Sequence, residues 1–145
     1  YRYDLVNAVL NTGESNVLSV IEKVKALGEF VERDDSEDIL NYFTRINNFT
    51  KDFESIDVNV ENLDQGLEKQ YFEEIDKLDI DKYLSQKLYQ KALEEIASTR
   101  EIGNEYLDNT MIMVDDEEIK NNRLALLNKL AKNISRIFNI KDLVK

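Results

Sequence analysis

The chain has 145 residues, 42% of them hydrophobic and 34% charged, with 30 acidic residues against 19 basic ones and a formal net charge of -11. That size and balance suit one folded domain with a real core and argue against disorder. Histidine, cysteine and proline are absent, which excludes thiol nucleophiles, histidine bases, the usual zinc sites and disulfides, and leaves long helices uninterrupted. The lack of cysteine is in keeping with a cytoplasmic location. No apolar run reaches membrane-spanning length, and the opening YRYDLVNAVL is not a signal peptide. A first residue Tyr rather than Met suggests a piece of a longer polypeptide.

Nearly every segment reads as helix, so the expected fold is all-α: residues 1–145 as a single bundle of about six to eight helices. Tyr3 to Leu10 forms a short amphipathic helix that stops near Gly13. Asn16 caps a second, with Val17, Val20, Ile21, Val24, Leu27 and Val31 at helical spacing. Asp34, Asp35 and Ser36 make a turn and a cap. Ile39, Phe43, Ile46 and Thr50 line one face of the third helix, beside Tyr42 and Phe49. Asp52 to Leu67 reads as a loop with one helical turn. Helix resumes from Glu68 to Leu78, and Asp81 is expected to cap a helix burying Leu84, Leu88, Ala92, Leu93 and Ile96. Gly103 and Asn104 mark a break, and Met111 and Met113 are assigned to the core. Asp115 and Glu118 have capping-box spacing at the start of a last helix running to about Phe138.

From Ile119 to Lys141 there is no acid, yet there are six bases, Lys120, Arg123, Lys129, Lys132, Arg136 and Lys141, so the rest of the chain sits at -17. At about 100° per residue, Ile119, Leu126, Leu127, Leu130, Ile134, Ile137 and Phe138 share one arc, with Arg123 in its middle. A guanidinium on an apolar face needs an acid partner, and Asp108, Asp115 and Asp116 are nearby in sequence. Arg123 is therefore expected in a structural ion pair, with Asp108 as its candidate partner, fixing the Met111–Val114 strip.

Asn122, Lys129, Lys132, Asn133 and Arg136 fall on the opposite side. Charge combined with amides suits a phosphate backbone and exposed bases. The same row also suits a solvated face paired with acids of a neighbouring helix. Arg45 and Asn48, with Asn41, form a second outer face on the third helix, weakened by Asp38 and Asp52. Carboxylate pairs recur throughout, and none has the pocket or partner of an acid–base couple. No glycine-rich phosphate loop, nucleophile elbow or EF-hand spacing is present.

The run from Tyr89 onward resembles the C-terminus of the β subunit of bacterial glycyl-tRNA synthetase, the two-subunit form. Tyr89, Ala92–Leu93, Ile96–Ala97 and Arg100 carry the likeness, followed by LDNTMIMVDDEEIKNNRLALLNKL and then Ile140–Leu143. The Asn122–Leu127 core, NRLALL, is its most specific part, while Val24–Phe30 and Thr44–Phe49 match more loosely. The chain departs from the family pattern at Thr44, Gly103–Asn104, Tyr106–Leu107 and Lys120.

The resemblance implies an anticodon-binding domain of the DALR type, at the C-terminal end of the subunit and without catalytic residues of its own. Its implied partners are glycine tRNA, the remainder of the β subunit, and the α subunit in a tetramer of two α and two β. No membrane and no cofactor of its own is implied; ATP and magnesium belong to the whole enzyme. In this reading Asn122, Lys129, Lys132, Asn133, Arg136, Arg45 and Asn48 meet RNA. The rival readings are a helical docking module without RNA contact and an enzyme using carboxylates alone.

Overall fold

Apolar residues recur at three and four along most of the chain, with turn and cap residues between the runs, so helices form and stack on one another. The computed structural model describes residues 2–143, which contain eight α-helices and no strand. They are α1 (Tyr3–Leu10), α2 (Val17–Val31), α3 (Ser36–Thr50), α4 (Leu67–Asp76), α5 (Ile80–Ser85), α6 (Tyr89–Ala97), α7 (Arg100–Asn109) and α8 (Glu117–Ser135). Short 3-10 turns occupy Val60–Asn62 and Ile140–Asp142. No described helix is long and apolar enough to cross a membrane.

α8 is the central rod. Leu124, Ala125, Leu126, Leu127 and Asn128 are five consecutive buried residues, so the helix is covered on every side over that stretch. Its main neighbour is α3. α3 buries Ile39, Phe43, Ile46 and Thr50, as its spacing requires, and Tyr42 besides. Phe43 joins three segments: its ring lies 6.4 Å from Phe30 of α2 and 6.4 Å from Phe138 beyond α8. α4 and α7 pack together on one flank, α2 and α6 on another.

Local chemistry explains most boundaries. Gly13 takes a positive φ of 85° after α1, where a side chain would be strained. The Asn16 side chain accepts the Ser19 N–H at 3.0 Å and caps α2. The expected helix behind Asp81 is two helices. Asp79 is the cap, accepting the Lys82 N–H at 3.3 Å. Lys87 then enters the left-handed region at φ 59°, and the Leu88 N–H reaches back to the Tyr83 carbonyl at 2.8 Å. That closes α5 and leaves Leu88 exposed.

Gly103 does not break a helix; it sits inside α7. A Cβ there would lie 2.5 Å from Tyr42 Cε1, so glycine lets α7 approach the buried tyrosine of α3. Asp116, not Asp115, caps α8 by accepting the Ile119 N–H at 3.2 Å. α8 ends at Ser135, and Ile137 and Phe138 are buried beyond it. Asp35 precedes α3 without capping it, because its carboxylate is held by Arg33 at 2.9 Å. Met111 and Met113 are not core: they are 72% and 57% exposed, and Ile112 between them is the buried residue.

Candidate nucleic-acid interface

The segment joining α3 to α4 is irregular, and its backbone polar groups need partners outside a helix. α8 supplies them. Asn128 donates from Nδ2 to the carbonyls of Phe53 and Ser55, at 3.1 and 3.0 Å. Asn122 donates from Nδ2 to the Asn59 carbonyl at 3.0 Å and accepts the Asn59 N–H at Oδ1 at 2.7 Å. Asn122 is thus a correction to the expected RNA face: it is 7% exposed and its amide is engaged on both sides.

Arg123 turns inward as an ion pair, but with a different acid. Its Nε donates to Glu68 Oε2 at 3.0 Å, and its Nη1 to the Met111 carbonyl at 2.7 Å, which ties down the strip before α8. Asp108 serves Arg45 instead, at 2.9 Å. Arg45 also donates to Asn104 Oδ1 at 2.9 Å, so it is bound along α7. Asn48 is exposed on α3, and neither it nor Arg45 reaches the cavity described below.

Glu68, 3% exposed, belongs to a buried polar chain. Tyr106 donates its hydroxyl to Glu68 Oε2 at 2.5 Å, and the Asp64 N–H donates to Oε1 at 3.1 Å. The Tyr106 ring lies 5.2 Å from that of Tyr71. Tyr71 and Tyr42 share a hydroxyl hydrogen bond at 2.6 Å, and Tyr42 another with Thr99 at 2.8 Å. Burial pushes the Tyr42 phenol up to about 12 and that of Tyr71 well above its ordinary value. Tyr106 rises too, through burial and then through its bond to the Glu68 carboxylate. These phenols are held neutral as structural donors. A sequence signal existed for this pair: Glu68 lies three residues before Tyr71 and seven before Ile75, an acid on an apolar face that mirrors Arg123.

Lys23 was not singled out in the sequence. It is 7% exposed, and its Nζ donates to Glu14 and to the Arg136 carbonyl, both at 2.9 Å. Placed over the Tyr89 ring at 5.4 Å, it puts a cation at the C-terminal end of α8. Its ammonium holds the Glu14 carboxyl below the usual range.

The C-terminal half of α8 is arranged differently. Lys129, Lys132, Asn133 and Arg136 line one wall of a cavity of about 510 Å³. Ile56, Ile75 and Leu78 supply apolar surface, and Glu54, Asp76 and Asp81 supply acids. Lys132 pairs with Glu54 at 3.3 Å, and Arg136 with Asp81 and Asn133. The Lys129 side chain has no hydrogen bond or ion pair among the described residues. Four of the expected RNA-binding residues therefore stand together, and three (Asn122, Arg45 and Asn48) stand apart from them.

No family model matches the chain. Curated relatives do, along its whole length. The glycine--tRNA ligase beta subunit of Sulfurihydrogenibium sp. (strain YO3AOP1) is 36% identical over 151 residues, which is 100% of this chain and 21% of that subunit. That of Halothermothrix orenii is 32% identical over 98% of this chain and 21% of the subunit. That of Clostridioides difficile (strain 630) is 31% identical over 99% and 21%. The chain thus spans about a fifth of the length of these relatives. End to end, then, this all-helical chain is similar to one part of the glycine--tRNA ligase beta subunit.

Proposed function

We propose that the chain is the tRNA-recognition segment of a glycine–tRNA ligase, receiving the anticodon end of glycine tRNA. The chemistry would lie elsewhere: an α subunit, in a cytoplasmic assembly of two α and two β, would activate and transfer glycine with ATP and magnesium. The segment's contribution would be positioning, since holding one end of the tRNA orients the other toward the catalytic site. One observation carries this reading. Lys129, Lys132, Asn133 and Arg136 line the ≈510 Å³ cavity together with apolar surface, a setting that suits a phosphate and an unstacked base.

The test is binding of a glycine tRNA transcript to the full-length β subunit, native and carrying Lys129→Glu with Arg136→Glu. Affinity should fall by at least about tenfold, and native binding should weaken steeply with salt. Unchanged affinity would remove RNA from this face.

A second reading, docking on the rest of the β subunit, has its own observation. The apolar residues of α2 outrun the core: Val24, Leu27 and Phe30 are buried, while Val17, Leu18 and Ile21, with Leu10 at the end of α1, stand exposed. Loss of subunit assembly on Leu18→Glu with Ile21→Glu, at unchanged tRNA affinity, would favour it.

A further inference from the structure

The cavity poses a charge problem. Its three cations, Lys129, Lys132 and Arg136, face three carboxylates, Glu54, Asp76 and Asp81, so its lining is formally neutral on a chain of net charge -11. A neutral lining attracts phosphate weakly. The carboxylates are nonetheless placed in a telling way. Glu54 lies on the segment after α3 and reaches Lys132 of α8, and Asp81 lies on α5 and reaches Arg136 at the α8 C-cap. Their side chains are 90% and 84% exposed, so neither is held by packing. A carboxylate accepts from an ammonium or a guanidinium as a phosphate oxygen does.

We infer that Glu54 and Asp81 are internal stand-ins for two phosphates of the bound strand, giving up Lys132 and Arg136 when RNA arrives. This rests on the proposed RNA reading of the cavity. Exposed ion pairs are weak and exchange readily, so a polyanion can displace them. Charge swapping of this kind disfavours isolated anions and favours a ligand that brings several phosphates at once. Asn133 Oδ1 also accepts from Arg136 Nη1, at 3.3 Å, so the guanidinium has a second partner on the cavity wall.

The experiment compares four full-length β subunits binding a glycine tRNA transcript over a range of salt: native, Glu54→Gln with Asp81→Asn, Lys129→Glu with Arg136→Glu, and Glu37→Gln with Glu105→Gln. The last pair removes equal charge from exposed sites outside the cavity. The Glu54/Asp81 variant should bind about three- to tenfold tighter, and its salt slope should steepen by roughly 0.7 for each carboxylate removed. The Glu37/Glu105 variant should shift much less. Equal tightening in both variants overturns the inference, because net charge alone would explain it. Unchanged or weaker binding on Glu54→Gln with Asp81→Asn, while Lys129→Glu with Arg136→Glu abolishes binding, overturns the exchange and leaves the RNA reading standing. Indifference to Lys129→Glu with Arg136→Glu overturns both.

Discussion

The two halves of α8 are made of the same residues and do different work. With the division set between residues 128 and 129, Asn122, Arg123 and Asn128 on one side match Lys129, Lys132, Asn133 and the C-cap Arg136 on the other as a mixture of bases and amides. Asn122, Arg123 and Asn128 are turned inward. The asparagines hold the Phe53–Asn59 backbone, and the arginine meets Glu68. In the second half the groups line an open cavity, where Lys132 and Arg136 pair with exposed acids. Neighbours, not composition, decide which polar group belongs to the fold and which is left for a partner.

Breaking the inner half should cost most. Arg123→Met leaves the Glu68 carboxylate, with 4% of its side chain exposed, without its cation. Unfolding by urea should show a loss of about 3–5 kcal/mol, and Glu68→Leu combined with Arg123→Met should recover much of it. Next comes the loop clamp. Asn128→Ala strands two carbonyls and should cost about 1–3 kcal/mol, with faster hydrogen exchange in the Phe53–Asn59 segment.

The tyrosines of the inner network add a pH dependence. The fold raises their phenols above the ordinary 10.0, so their contribution is intact below pH 10.0 and is lost as pH climbs toward the value of about 12 for Tyr42. Thermal midpoints should therefore fall across that window, and Tyr42→Phe should flatten the fall. The outer half should respond least: Lys129→Glu with Arg136→Glu should move stability by no more than about 0.5–1 kcal/mol, since exposed pairs add little.

The same contrast shows what could be read in the sequence. Period-3.6 patterning was enough for α1, α2 and α3, where one face is buried and the other wet, and Asn16 announced its cap. It placed the apolar arc of α8 but failed at Asn122, because the helix is packed on more than one face there. Asn122 was misplaced for that reason: its partner is the backbone of a loop 63 residues away, which no local pattern records. Gly103 was misread likewise, since its reason is the Tyr42 ring of another helix. Arg123 was legible as an inward charge, but its acid was not the nearest in sequence. Of the RNA candidates, the four that share one cavity wall lie within eight residues of one helix, a spacing the sequence displays directly.

The most direct measurement is tRNA affinity of the full-length β subunit after one change in each half of α8. Asn122→Ala, matched in stability by choice of temperature, should leave affinity for a glycine tRNA transcript within about twofold of native, while Lys129→Glu with Arg136→Glu should lower it by at least about tenfold. Loss of affinity on Asn122→Ala with none on the cavity pair would contradict the division between a structural and a ligand-facing half.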